Sequence, residues 1–200
     1  MKRHTRNAAK SKEHIIRKSA PIFNIHGISG TSMQMIVDAT GYQMGGIYRH
    51  FSSKKELAMK ALEFNYESII KPNLELDHTL NPQEKLIAIV DNYRQMLTNP
   101  QAKGGCPLLN TATEVDDIDD SIRIIVSQYV QDMILTITEI IKQGQSQGLI
   151  REDVSETQQA QYLYASFQGA IMLIKVTRDI HVALNIYDNL EMYIRKNLFI

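Results

Sequence analysis

This chain is poor in the patterns that carry most catalytic and metal chemistry. One cysteine in 200 residues, Cys106, excludes an intrachain disulfide and a cysteine-built zinc site. Six histidines form no His-x-x-x-His pair, and no metal site is expected. The run Asp116, Asp117, Asp119, Asp120 resembles a calcium loop only loosely. It lacks the glycine and the closing glutamate, and reads better as capping charge for a following helix. Without a Gly-rich phosphate loop or a nucleophile elbow, an enzyme, for instance a helical thiol-dependent one, is a distant alternative, and no cofactor is implied. Five prolines and ten glycines are too few for a disordered chain. Met1 to Lys18 is basic and polar, unlike a secretory leader, and no uncharged apolar run approaches a membrane span. A cytoplasmic protein without membrane contact is the expectation.

Net charge is also missing, with 22 Lys/Arg against 22 Asp/Glu, but its distribution is uneven. Residues 1–60 hold eleven Lys/Arg and three acids, a net of +8, and residues 61–200 are correspondingly −8. A basic head on an acidic body is the footprint of a chain in which one domain meets phosphate and the other does not. Lys2, Arg3, His4 and Arg6 fall in a segment without apolar periodicity, read either as an arm along DNA or as a frayed terminus.

Within the head, Ile15, Ile16, Ala20 and Phe23 define one face of a helix from about Ser11 to His26, stopped by Gly27. Pro21 inside it should kink the helix near Arg17. From Thr31 to Leu57 come two short apolar-periodic segments. The first carries Met33, Ile36 and Val37, with Thr31 and Ser32 as N-caps and Ala39 small where the helices cross. Gly41 supplies a left-handed turn, and Ile47 and Phe51 pin the second segment to the core. This is the layout of a helix-turn-helix. Gln43, Met44, Gly46, Tyr48, Arg49 and His50 are left facing outward, a polar, aromatic and basic surface suited to base edges and phosphates. Ser53 and Glu56 then offer a capping box for a longer helix whose first residue, Lys54, can reach a phosphate.

Thr31, Ile36, Gly41, Gly45, Ile47, Tyr48, His50, Phe51, Ser53, Lys54 and Leu57 follow in the order typical of the TetR family of one-component repressors. The stretch from about Ser11 to Ala61 resembles that family's N-terminal domain. It departs from the pattern at Tyr42-Gln43-Met44. The resemblance implies a DNA-binding repressor on a palindromic double-stranded operator, with contacts from Thr31, Ser32, Gln43, Met44, Gly46, Tyr48, Arg49, His50 and Lys54. Gln43 and Arg49 suit base reading; Tyr48, His50 and Lys54 suit phosphates.

Beyond Pro72 the periodicity stays near 3.6, without strand-like alternation. The fold expected is all-α, about nine helices, with a helix-turn-helix domain over 1–53 and a regulatory and dimerisation domain over 54–200. The last two helices are apolar over more than one stripe, and the resemblance implies a homodimer through them.

Cys106 follows Gly104-Gly105 and precedes Pro107, which places it at a helix N-cap. Unpaired backbone donors and the helix dipole favour a reactive thiolate there; the alternative is a buried small hydrophobe. Gly105, Cys106, Leu108, Glu114 and Val115 resemble a NemR-like subgroup of the family that responds to quinones, aldehydes and hypochlorous acid. The matching lysine would be Lys175, either a partner of the thiol or one half of an interfacial ion pair. Release when reactive electrophiles or oxidants modify Cys106 is one reading of function. The other is a small hydrophobic or drug-like inducer bound among Tyr93, Met96, Tyr129, Met133, Tyr164 and Phe167; the alternative for these residues is plain core, since Met and aromatics fill either role.

Overall fold

The computed structural model describes residues 2–200, and for residues 2–7, Asn73 and Gln101 the backbone alone. Among the described residues it is all-helical: α1 (Lys2–Gly30), α2 (Met33–Thr40), α3 (Met44–Tyr48), α4 (Lys54–Asn65), α5 (Pro82–Met96), α6 (Pro107–Val115), α7 (Asp120–Ser146), α8 (Glu156–Thr177) and α9 (Ile180–Tyr193). A π-helical turn, Tyr66–Ile70, extends α4, and another, Ile194–Leu198, extends α9. One isolated bridge joins Ile150 to Phe199.

Local chemistry sets most boundaries. Ser32 accepts the Met35 N–H at the start of α2, and Gly41 closes it at φ 73°, donating to Val37. Asn81 and Glu84 form a reciprocal capping box on α5. At α4 the box is displaced by one residue: Ser53 accepts from Glu56 N–H, while the Glu56 carboxylate takes the N–H and hydroxyl of Ser52 at 2.7 Å. Pro21 does not break α1. The only non-helical torsions in that helix lie at Gly27 (φ 73°, ψ 173°), a region open to glycine alone. Thr40, not Ala39, is the buried small residue at the end of α2; its hydroxyl bonds back to Ile36 O and so needs no solvent.

The chain forms two compact units, Met1–Ile69 with Gln101–Val126, and Ile70–Pro100 with Ser127–Ile200. The first packs α1 against α2, α4 and α6. Its core is Ile15, Ala20, Phe23, Ile36, Ile47, Phe51, Leu57, Ala58 and Ala61. Each large member contributes about 1.5–3 kcal/mol of transfer free energy.

The second unit packs α9 against α5 and α8. Arg94 of α5 bonds Asp91 on its own helix and Asp188 and Glu191 on α9. Helix α7 contains an 18-residue window of mean hydropathy 1.3, of which 33% is buried. By length and composition alone that helix is long and apolar enough to cross a membrane, a test that the core helix of a soluble protein also passes.

Candidate nucleic-acid interface and its supporting helix

The recognition segment is short and held from below. Ile47 is fully buried and Phe51 nearly so, while α3 around them presents Gln43, Met44, Tyr48 and Arg49 to solvent. Met44 and Tyr48 are 38% and 45% exposed, large side chains that present apolar surface to solvent. His50 and Gly46 are half-buried. Tyr42, where the sequence departs from the family pattern, is half-buried, and its hydroxyl donates to Ser11 Oγ at 2.9 Å. It ties the turn to α1, a role a small apolar residue could not fill.

Three of the expected contact residues have internal work as well. Thr31 is buried, its hydroxyl donating to Gly27 O at 2.6 Å. Its carbonyl accepts from Lys54 Nζ at 3.0 Å, which fixes the lysine across the start of α2 and leaves two ammonium donors over. Ser32 is exposed and occupied as the α2 cap.

Helix α6 belongs to the same unit as this segment. Cys106 is its N-cap residue, with Pro107 as first helical residue, and is completely buried. The glycines before it adopt φ 101° and 88°, so the approach to the thiol is a left-handed double turn. Asn24 of α1 donates to the carbonyls of Lys103 and Gly105 at 3.1 and 3.0 Å. Asn110 of α6 donates to Asn24 O and Oδ1 and to Gly104 O at 2.9–3.0 Å. One turn further on, Glu114 takes the Ile28 and Ser29 N–H groups at 2.7 and 2.6 Å. Burial opposes ionisation of Glu114, but the bonds from Ser29 and Ile28 outweigh it and hold its carboxyl below the usual carboxylate range. None of these bonds is visible in the sequence pattern; the one available signal was polar residues (Asn110, Glu114) four apart on one face of a short helix.

Asp119 closes the turn after α6. It accepts the Ser121 and Ile122 N–H groups, capping α7, and pairs with Lys55 at 2.6 Å. The Lys55 ammonium, then the Ser121 hydroxyl, lower its carboxyl to about 2. Its folded value is depressed from the ordinary 3.8, so its stabilisation is present above the unfolded value and lost as pH falls toward 2. Asp119→Asn should therefore flatten the acid limb of a stability profile between pH about 4 and 2, read by urea melts at several pH values; an unchanged limb would remove this role.

The remaining expected residues lie in the second unit. Tyr93, Met96, Met133, Tyr164 and Phe167 are buried and Tyr129 is half-buried. Tyr93 and Phe167 stack at 4.3 Å between ring centroids, and both approach Tyr187. An open cavity of about 670 Å³ in this unit is lined instead by residues such as Glu75, His78, Lys85 and Glu139. Lys175, on α8, is exposed, as are Met172 and Val176 beside it. Among the described residues no group of three or more metal-ligand side chains converges.

Two family models match the chain. "Bacterial regulatory proteins, tetR family" covers residues 15–60, and "Tetracyclin repressor-like, C-terminal domain" covers residues 82–186. The chain belongs to the TetR family. A TetR transcriptional regulator from Chloroflexus aurantiacus has the same fold at TM-score 0.91 and 31% identity, over 98% of this chain and 99% of that one. The HTH-type transcriptional repressor DhaR of Mycobacterium sp. (strain GP1) is 28% identical over 84% of each chain. The repressor NemR of Escherichia coli (strain K12) is more distant, 21% identical over 89% of each. This TetR-family protein is thus a helix-turn-helix transcriptional regulator and not an enzyme. Its α2 and α3 are the two helices of the motif.

Proposed function

We propose that this TetR-family regulator is a repressor that two protomers bring to a palindromic operator, and that it is released when a reactive electrophile or oxidant modifies Cys106. Gln43 and Arg49 read base edges; Tyr48, His50 and Lys54 hold phosphates; Ser32, Met44 and Gly46 complete the surface, with Thr31 acting through Lys54. Exposed Tyr162, Met172 and Val176 on α8 and Met192 on α9 support a two-fold partner on those helices. DhaR and NemR, both repressors by name, support repression as the sense of control.

The observation that carries the sensing step is the position of Cys106. It occupies the N-cap position, without a side-chain cap bond, of the helix whose Asn110 and Glu114 hold α1 and the turn before α2. Addition to a quinone or a ketoaldehyde needs no other reactant: sulfur forms the new bond to carbon and the thiol proton ends on oxygen. The adduct has no room beside a completely buried side chain. Accommodating it displaces the start of α6, and with it the bonds to the head. The proposal rests on Cys106 alone and gives Lys175 no part.

The test uses a duplex selected by the wild-type protein from a random pool. Methylglyoxal or benzoquinone should release the wild type and leave Cys106→Ser bound, with equal affinity for both proteins before treatment. Release that persists in Cys106→Ser overturns covalent sensing and favours a non-covalent hydrophobic inducer in the second unit.

A further inference from the structure

We propose that Glu114 and Asp119 are positioning residues for DNA recognition, two carboxylates at either end of the α6–α7 turn that hold the recognition segment at both of its ends. The proposal rests on the reading that α2 and α3 meet the operator.

The geometry is specific. Glu114 grips the chain three to four residues before the α2 cap, through successive N–H groups 86 and 85 residues away in sequence. Asp119 grips the second residue of α4 through Lys55, 64 residues away. Everything between those points, including α2, the turn and α3, is the reading head. Two successive N–H groups beside a glycine at positive φ make a natural anion site, and here the protein fills it with its own carboxylate. Both grips emerge from one tight turn, closed by Ile118 N–H and Asp119 N–H on Val115 O at 3.2 and 3.1 Å. A shift of that turn therefore moves the two ends of the head together.

Electrostatics supplies a sign that separates this role from simpler ones. Two acids near a DNA-binding surface repel phosphate, so neutralising either should tighten binding to any duplex. A positioning role gives the opposite result for the operator alone. Glu114→Gln and Asp119→Asn, each in the full chain, are measured against the selected operator and a scrambled duplex of equal length and composition. Operator affinity is expected to fall about tenfold for each, the size of one lost charge-assisted hydrogen bond, with scrambled-duplex binding unchanged or tighter. Hydrogen exchange at Ile28 and Ser29 should accelerate in Glu114→Gln and stay at the wild-type rate in Asp119→Asn. Should Glu114→Gln fail to fold, the specificity ratio of Asp119→Asn, whose partner Lys55 is 48% exposed, still decides. An unchanged ratio, or parallel loss on both duplexes, overturns the proposal. Arg49→Ala is the control for the reading beneath it: a collapsed ratio there with intact ratios in the carboxylate variants overturns positioning alone, while an intact ratio in Arg49→Ala overturns the assignment of α3.

Discussion

Gly27→Ala should destabilise the protein by about 3–5 kcal/mol, far more than one added methyl group ordinarily costs. Two effects combine. The backbone there sits at φ 73° and ψ 173°, a region that costs a non-glycine residue about 1–3 kcal/mol. A Cβ would also lie 2.7 Å from Glu114 Oε2, inside contact distance of a carboxylate already committed to two short bonds. The carboxylate must leave, and the Ile28 and Ser29 N–H groups lose their acceptor. Urea melts in two backgrounds separate the effects. With Glu114→Ala already present, the added cost of Gly27→Ala should shrink to the torsional part, about 1–3 kcal/mol. Equal costs in both backgrounds would show that the carboxylate contact contributes nothing.

Phe167→Ala should cost about 3–5 kcal/mol, the range for removing a buried ring from a packed interior. Phe167 is 1% exposed, stacks on Tyr93 at an interplanar angle of 12°, and leans on Tyr187 at 6.2 Å. The same number decides between core and inducer chamber. A ring bordering a hollow has fewer partner atoms to lose, and a cost below about 2 kcal/mol would mark Phe167 as lining space that a ligand could fill. The full cost would mean that these aromatics occupy each other's faces and that an inducer must bind elsewhere or part them.

What could be read from the sequence was local. Ser32 and Gly41 announce helix ends because each cap is made by residues three or four apart. Ile47 and Phe51 are four apart and both buried, so the outward face of α3 followed by subtraction. The N-cap position of Cys106 followed from its glycines and Pro107 in the same way. Gly27 was legible as the stop of the first helical stretch, and the non-helical torsions of α1 lie there.

The support beneath the reading head was not legible. Its acceptors and donors are joined across about 80 residues, and half of them are backbone N–H and carbonyl groups that every sequence carries. Composition cannot say which carboxylate will find which amide. Nor does a Met and aromatic stripe distinguish ring facing ring from ring facing ligand, since both patterns demand the same burial. Lys175 lay among apolar neighbours on the chain yet emerges exposed, because Met172 and Val176 beside it are themselves exposed: apolar residue types do not by themselves say that a helix turn is buried.

The division of the chain bears on how such regulators exchange parts. The first compact unit is discontinuous, Met1–Ile69 completed by Gln101–Val126. A chimera that transplants only the first 60 or so residues onto a foreign body would carry Asn24, Ile28 and Ser29 without Asn110 or Glu114 to meet them. On the positioning role proposed for Glu114, transferable DNA specificity resides in two separated stretches of sequence. Recombination that respects both, or a host already offering an acid and an amide on its own sixth helix, is the route by which this head could be inherited apart from its body.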